Sequence, residues 1–369
     1  MNEISKIKVT SDPADSNSLP GWAYLDPALH ERERSEIFYK TWHYAGWVGD
    51  LKQPGDYITA ELLDQNLVIL RDDDGSLKGY YNVCQHRGHL LLTGRGHVSS
   101  IACPYHAWVY KLDGQLRNAR GAERLADFNI EQFRLRPIRV ELFADTFVFF
   151  NLDMDAMPLA ELAGDMIADV MTETPDLRML VRSDALPAAN PAVLPMFPCK
   201  ANWKVVIDNF LECNHCRPAH PGFSEIVDMQ TYRTYATGQW STQRGVAREG
   251  GHKMRFWWLF PTTTISLNAE PGDLAFSIGS FTSAESVSMS VAGKQDLYRL
   301  PGMNLTQPRG DVFGALTGIE DRHLCESVQR GLASKGYDSG RIIYDPEGRE
   351  TTEVGIHQFH KLVVDALGL

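Results

Sequence analysis

Apolar and polar positions alternate with two different periods along this chain, which predicts strands in some segments and helices in others. Short runs rich in β-branched and aromatic residues lie between about residues 42 and 155, among them DYITAEL, NLVILRD and DTFVFFNLD, and turn sequences such as DDDGS separate them. Similar runs, including RFWWLFPTTTISLNA and LAFSIGSFTS, occur between residues 221 and 300. The pattern predicts two antiparallel β-sheets, of which the second is the larger.

The N-terminal region is expected to hold a polar arm followed by a helix. Residues 1–20 are polar and predict a loose arm. Asp26 is a suitable N-cap and Pro27 a suitable first helical residue, so a helix should begin there.

A second helix is predicted from Asn202 to Arg217. Val206 and Phe210 are four residues apart and give this helix an apolar side. Pro218 disfavours helical dihedral angles at the residue before it, and it should therefore end the helix.

Two more helices are predicted near the C-terminus. Thr317 and Glu320 have the spacing of a capping box, so a helix should begin there and run to about Gly336. Its predicted apolar stripe consists of Leu324, Val328 and Leu332. A closing helix is predicted in the sequence IHQFHKLVVDAL.

The aromatic run RFWWLF can be interpreted in two ways. Phe256, Trp257, Trp258 and Phe260 could line a ligand pocket or fill the core. Alternate residues of a strand face opposite sides, so all four cannot line one pocket, and the core interpretation is favoured.

Two loops in the first β-rich region each carry one cysteine and one histidine. The first contains Cys84 and His86, and the second contains Cys103 and His106. Two thiolates with two imidazoles suit either a tetrahedral zinc ion or a two-iron cluster of mixed ligation. Zinc motifs usually pair cysteine with cysteine, whereas loops that each offer one of both types suit a Rieske centre.

A second constellation lies at the end of the predicted helix from Asn202. Glu212 and His215 are three residues apart and share a face, and His220 follows just past the proline. This grouping is consistent with a metal site and also with structural histidines. Asp321 lies on the apolar stripe of a later helix, where a buried carboxylate needs a partner or a metal. A residue of the capping turn is the alternative.

The composition and charge of the chain exclude several classes of partner and location. The 369 residues suffice for two domains, and a formal net charge of −11 argues against nucleic-acid or anionic-membrane partners. The sequence lacks a signal-peptide core and a long apolar run, so a cytoplasmic location is expected.

Six cysteines are too few for a disulfide scaffold, and cytosolic thiols should stay reduced. Cys213 and Cys216 have no matching second pair, and His357 and His360 lack a carboxylate at ligand spacing, so both pairs are interpreted as structural.

The two constellations together resemble a known family. CQHRGH and CPYHAW resemble the Rieske motif of ring-hydroxylating and related non-haem iron oxygenases. NWKVVIDNFLECNH, continuing to His220, resembles the mononuclear-iron motif of the same family's α subunits, in the same order along the chain. One departure is Ala107, where the family usually has glycine. It adds only a methyl group and is not expected to disturb the cluster.

The resemblance implies an α+β fold in three parts. Residues 1–41 would form the N-terminal arm and helix. Residues 42–157 would form an antiparallel β Rieske [2Fe-2S] domain. Residues 158–369 would form a helix-grip-like catalytic domain with an antiparallel sheet and helices.

The resemblance also assigns ligands. The cluster would be held by Cys84, His86, Cys103 and His106. A mononuclear Fe(II) would be bound by His215, His220 and Asp321, and two histidines with one carboxylate leave the opposite positions open for O2 and substrate.

Glu212 acquires a catalytic role from the same resemblance. It would bridge His106 of one subunit and His215 of the next, within a homotrimer, and provide a short path for an electron. Family members commonly carry aspartate at this position. Glutamate recurs in the branch that oxidises quaternary amines, such as carnitine and betaine monooxygenases.

The implied protein is the oxygenase component of a Rieske-type monooxygenase. It would use O2 to hydroxylate or N-dealkylate a small quaternary-ammonium compound. No flavin or nicotinamide fingerprint is present, so a separate flavin- and ferredoxin-type reductase should supply electrons from NAD(P)H. Two alternatives remain open: the catalytic α subunit of an aromatic-ring dioxygenase, and a Rieske electron carrier without oxygenase activity.

Overall fold

The computed structural model describes residues 6–174, 176–182, 198–248, 253–270, 273–283, 291–300 and 309–369. The chain divides into two compact units. One runs from Tyr39 to Ile167, and the other joins the segment up to Phe38 with the chain from Ala168 onwards. None of the helices in the described ranges is long and apolar enough to cross a membrane.

The unit from Tyr39 to Ile167 is built of antiparallel β-structure, as predicted. A large sheet has the strand order β1-β10-β9-β4-β3-β2-β5, and a small one has the order β6-β7-β8. The strands are β1 (His43–Trp47), β2 (Asp56–Leu62), β3 (Gln65–Arg71), β4 (Leu77–Tyr81), β5 (Arg95–His97), β6 (Ile101–Ala102), β7 (Val109–Tyr110), β8 (Leu116–Asn118), β9 (Pro137–Phe143) and β10 (Phe147–Asn151). This unit also contains the short helix α2 (Leu159–Leu162).

Both faces of the interior strand β3 are covered. Leu67, Val68, Ile69 and Leu70 are all fully buried, although consecutive strand residues point to opposite faces. The turn sequence after β3 folds as predicted, because Gly75 supplies a φ of +82° and its N–H donates to the carbonyl of Asp72.

The other unit combines a second antiparallel sheet with helices, which confirms the predicted α+β class. The described part of this sheet has the strand order β11-β17-β16-β15-β14-β13-β12. Its strands are β11 (Val181–Arg182), β12 (Val227–Thr237), β13 (Trp240–Ala247), β14 (Lys253–Leu259), β15 (Thr263–Glu270), β16 (Asp273–Ser283) and β17 (Val291–Arg299). The helices are α1 (Pro27–Glu36), α3 (Gly164–Glu173), which begins just before this unit, α4 (Trp203–Phe210), α5 (Cys216–Ala219), α6 (Pro221–Ile226), α7 (Arg309–Leu332) and α8 (Val354–Leu367).

Strand β14 carries the aromatic run, and its residues are largely core. Trp257 and Trp258 are fully buried on opposite faces. The Trp257 indole donates to Asp169 of α3 (2.7 Å), whereas Trp258 packs edge-on against Phe359 of α8. Phe256 is half-buried. The core interpretation is therefore confirmed for both tryptophans.

The N-terminal arm is ordered where the structure describes it, from residue 6 onwards. Ser16 and Leu19 are buried, and Asn17 forms a β-bridge with Arg341. The expectation of a loose arm is wrong for this part, because its backbone hydrogen-bonds to the C-terminal region. The predicted start of α1 is confirmed, since the Asp26 side chain accepts the N–H of Ala28, two residues on.

The helix predicted from Asn202 to Arg217 is shorter. Asn202 caps it as expected, but α4 ends at Phe210 and the chain turns before α5. Leu211 closes α4 through its backbone N–H. Pro218 lies inside the single turn of α5, where a missing N–H costs nothing.

Helix α7 also differs from its prediction. It begins at Arg309, so Thr317 lies inside it, and it ends at Leu332. Cys325 and Gln329 are buried, whereas Val328 is half exposed. The predicted stripe is therefore wrong at Val328, although Leu332 is buried as predicted. The side-chain amide oxygen of Gln329 accepts the N–H of Asn202 (2.7 Å), so this residue faces the start of α4.

Candidate metal centres

Two similar turns present the cysteines and histidines of the first unit. The N–H of Gly88 donates to the carbonyl of Cys84, and the N–H of Ala107 donates to that of Cys103, both at 3.0 Å. Each turn therefore closes over four residues and starts at a cysteine. The sequence explains this similarity, since both loops place a small residue four positions after the cysteine.

Both closing residues have positive φ angles. Gly88 has a φ of +73° and Ala107 a φ of +55°. Glycine adopts this conformation without penalty, whereas an alanine in the left-handed region costs about 1–2 kcal/mol. The expectation that Ala107 adds only a methyl group is thus incomplete, because the backbone conformation disfavours it.

The four side chains are arranged in two layers. Cys84 and Cys103 are buried, whereas His86 is exposed and His106 half-buried. The two imidazole rings have centroids 4.7 Å apart, and His86 stacks on Trp108 at 4.8 Å. Inner thiols and outer imidazoles fit a two-iron cluster in which one iron takes both cysteines and the other both histidines.

The protonation of one imidazole also suits metal binding. Burial, together with positive charge on His86 and Arg87, lowers the pKa of His106. A neutral imidazole is the form that binds a metal.

Tyr110 lies beside Cys84, and the sequence did not single it out. Its hydroxyl accepts the N–H of Gln85 (2.9 Å) and lies 3.4 Å from the sulfur of Cys84, to which it can donate. Hydrogen bonds to cluster sulfurs tune the reduction potential. Tyr110 lies on β7, 26 positions from Cys84, so only the pairing of loop and strand brings them together.

Three side chains in the second unit converge on one point. Asp321 Oδ1 lies 2.9 Å from His220 Nε2 and 3.4 Å from His215 Nε2. The three donor atoms all lie within 4.8 Å of one another. Adjacent ligands about 2.1 Å from a divalent metal are roughly 3 Å apart, so the arrangement fits a facial site with two histidines and one carboxylate.

The turn between α4 and α5 holds His215 through Glu212. The Glu212 carboxylate accepts the backbone N–H groups of Asn214 and His215 and also contacts Nδ1 of the His215 ring. Glu212 and His215 therefore do meet, although the helical face predicted for them does not exist. The carboxylate of Asp208, in the last turn of α4, contacts Tyr24 and His360.

The carboxylates control the protonation of both imidazoles. Burial opposes protonation of His215, but Asp321 and Glu212 outweigh it and raise the pKa of His215 to about 9. Burial also opposes protonation of His220, yet Asp321 and Glu320 raise its pKa. For Asp321, burial acts to raise the pKa, while the two histidines lower it below the ordinary value. The pocket favours positive charge, as a divalent cation requires.

Glu320, which was assigned to the predicted capping box, also contacts the site. Its Oε2 lies 2.7 Å from Nδ1 of His220. The contact connects α7 to the start of α6 through a second carboxylate beside Asp321. The sequence could not predict this contact, because α7 begins eight residues before the predicted cap.

Two other predictions concern neighbouring residues. Cys213 and Cys216 form a disulfide across the turn that contains His215, so the expectation of reduced thiols is wrong for this pair. His357 and His360 have structural contacts, as expected. His357 Nε2 donates to the carbonyl of Thr10, and His360 Nε2 contacts Asp208.

Sequence families match both units. Residues 41–129 match the Rieske [2Fe-2S] domain. Residues 182–255 and 228–369 match the ring hydroxylating alpha subunit (catalytic domain). The first match contains Cys84 and His106, and the second contains His215.

Two curated relatives and one solved structure are similar to nearly the whole chain. The carnitine monooxygenase oxygenase subunit of Escherichia coli (strain K12) is 34% identical over 369 residues, covering 96% of this chain and 94% of that protein. The chloroplastic choline monooxygenase of Beta vulgaris is 30% identical over 362 residues, covering 94% and 76%. The solved structure is a quaternary ammonium Rieske monooxygenase that was studied for carnitine oxidation by gut microbiota and for inter-subunit electron transfer. It has a TM-score of 0.85 and 31% sequence identity, and the match covers 96% of this chain and 97% of that one.

Proposed function

Because the chain belongs to the family of Rieske oxygenase α subunits, we propose that it oxidises a small quaternary-ammonium substrate as a monooxygenase component. Membership makes it an oxidoreductase with a Rieske [2Fe-2S] cluster and a mononuclear non-haem iron. The proposed reaction is hydroxylation or N-dealkylation of a carnitine-like or betaine-like compound.

The observation that carries the proposal is similarity along nearly the whole chain to carnitine and choline monooxygenases. Carnitine and choline share a trimethylammonium group, so this cation is the common chemistry of the two relatives. Glu212 adds support, since glutamate at the bridging position resembles the quaternary-amine branch of the family.

The geometry of the two clusters supports a proposal for the residues that would hold the two groups. Cys84 and Cys103 would bind the inner iron of the cluster, and His86 and His106 the outer one. The cluster, when bound, supplies electrons one at a time, and the mononuclear iron supplies the site of O2 chemistry. His215, His220 and Asp321 would hold that second iron and leave its other positions open.

We also propose which aromatic residues face the substrate. Phe210 ends α4 immediately before the turn that carries Glu212, and its ring packs edge-on against Phe256 of β14 at 6.3 Å. Both rings are half-buried, unlike Trp257 and Trp258. An ammonium over an aromatic face gains about 0.5–2 kcal/mol, so this pair is suited to the cation.

Electron transfer is proposed to run between subunits. Glu212 would bridge His215 and the His106 of a neighbouring subunit in a homotrimer, the kind of contact that closes head to tail into a ring. A flavin- and ferredoxin-type reductase would deliver electrons from NAD(P)H. We further propose that the chain has three parts: an N-terminal arm and helix (residues 1–41), a Rieske domain (residues 42–157) and a catalytic domain (residues 158–369).

A product analysis tests the proposal. The purified protein, a surrogate NADH-dependent reductase and 18O2 are incubated with carnitine, choline and glycine betaine, and in parallel with benzoate. We expect oxidation of a quaternary ammonium with one labelled atom in the product. Oxidation of benzoate alone, with two labelled atoms, would instead support the aromatic-ring dioxygenase. Cluster reduction without any product would support the electron carrier.

A further inference from the structure

Both ring nitrogens of His220 are engaged by neighbouring carboxylates of one helix. Nε2 lies 2.9 Å from Asp321 and Nδ1 lies 2.7 Å from Glu320. The His220 side chain is 2% exposed, so almost no water competes for either nitrogen. The ring is therefore held from two sides by α7.

His215 has the same arrangement of carboxylates. Its Nε2 faces the shared Asp321 at 3.4 Å, and its Nδ1 contacts Glu212. Each histidine thus directs Nε2 toward the proposed iron site and Nδ1 toward a glutamate. The proposed electron path uses Glu212 and leaves Glu320 without a role.

We propose that Glu320 is the positioning residue of His220 in the proposed iron site. By accepting a hydrogen bond from Nδ1–H, its carboxylate fixes the tautomer in which the Nε2 lone pair is free to bind the metal. A carboxylate on a ligating imidazole also raises its basicity as a donor. The inference rests on the proposed function, because it requires iron at His220.

Glu320 is not suited to be a ligand itself. Its carboxylate contacts Nδ1, and the three converging donor atoms are His215 Nε2, His220 Nε2 and Asp321 Oδ1. Glu320 therefore approaches His220 from the side of the ring away from the proposed iron. It acts through the imidazole.

Glu320→Gln and Glu320→Ala separate orientation from charge. Glutamine keeps an oxygen that can accept the Nδ1 proton but removes the negative charge, whereas alanine removes both. The full-length chain, with its Rieske cluster and with mononuclear iron removed, is titrated with Fe(II) against a chelator. Loss of an outer partner of a metal ligand typically weakens affinity 10–100-fold, so we expect about that loss in Glu320→Ala and a smaller loss in Glu320→Gln.

Glu326→Gln is the matched control. It lies on the same helix, and its carboxylate accepts the N–H of Lys200 away from the three converging side chains. We expect wild-type Fe(II) affinity in this variant. The absorption spectrum of Co(II) bound in place of iron gives a second measure, which should shift in both Glu320 variants and stay unchanged in the control.

His220→Ala distinguishes failure of this inference from failure of the proposed iron site. If His220→Ala keeps full Fe(II) affinity, the proposed site itself is wrong and the inference falls with it. If His220→Ala loses the metal while Glu320→Ala binds Fe(II) as tightly as Glu326→Gln, with an unshifted Co(II) spectrum, the inference alone is overturned.

Discussion

The carboxylate of Glu212 contacts Nδ1 of the His215 ring and also accepts the backbone N–H of His215 (3.2 Å). One acidic residue therefore fixes both the side chain and the main chain of a proposed iron ligand. The residue proposed to carry the electron is also a structural part of the turn. Experiments on it must distinguish these two roles.

The cluster ligands predict a selective loss of colour. Replacing Cys84 by serine or His106 by alanine removes one of four ligands, so we expect the visible Rieske spectrum to disappear while the protein keeps its mononuclear iron. The measurement is the absorption spectrum together with iron content, which should be about three per chain in the wild type. Cys199→Ser, a buried free cysteine of the other unit, should keep the spectrum.

Replacing Asp321 should remove the mononuclear iron and leave the cluster intact. Asp321→Ala removes the carboxylate shared by both histidines, so we expect loss of about one iron per chain with the cluster colour retained. Asp365→Ala, which removes an exposed carboxylate paired with Lys361, should retain both. Full iron content in Asp321→Ala would show that the third ligand is another residue.

The sequence predicted what is local, and the two cysteine–histidine loops illustrate this. The spacing of Cys84 and His86 is a property of one turn, and so is the N-cap of α1. Asp321 lies 101 positions from His220, and only the family resemblance connected them. The contact between Glu320 and His220 could not be predicted, because it depends on the phase of α7.

The buried face of α7 differs from the predicted one for a physical reason. Leu324 and Val328 are the more apolar pair, but Val328 is half exposed while Gln329 is buried. Gln329 is buried because its side chain accepts the N–H of Asn202 at the start of α4. This hydrogen bond joins residues 127 positions apart, and no pattern of hydrophobicity records it.

Ala107 predicts a stabilising substitution. Ala107→Gly relieves a left-handed alanine at +55°, and the larger backbone entropy of glycine offsets part of the gain, so we expect up to about 1 kcal/mol of added stability. The measurement is the free energy of unfolding of the cluster-containing protein. Ala102→Gly in β6 should instead destabilise it by about 0.5–1 kcal/mol, and a loss in both variants would contradict the explanation.

The raised pKa of His215 predicts a pH dependence after mononuclear iron is removed. The folded-state pKa is about 9 and the ordinary value about 6.5, so protonated His215 stabilises the fold fully below pH 6.5. That stabilisation, about 3 kcal/mol, is lost as the pH rises through 9. Denaturant unfolding of the iron-depleted protein at pH 6 and 9.5 measures it. His215→Gln should lessen the difference, and an unchanged difference in that variant would assign it to other groups.

The central claim is that Glu212 conducts electrons to an iron held by His215. Glu212→Gln keeps the size and one acceptor oxygen but loses the charge that holds the imidazoles. With Fe(II) in excess, which offsets the modest loss of affinity expected from removing this charge, both metal centres should remain filled and the cluster should accept an electron normally. Glu350→Gln, which alters the half-buried partner of the exposed Arg217 on α5, is the control and should behave as the wild type.

The most direct measurement is single-turnover oxidation of the pre-reduced cluster with O2 and a quaternary-ammonium substrate. In Glu212→Gln we expect cluster oxidation and product formation to slow about 100-fold, with iron content unchanged. Loss of mononuclear iron in this variant would make Glu212 a support of the ligand and not a path for the electron. Wild-type oxidation with normal product yield would contradict the bridge outright.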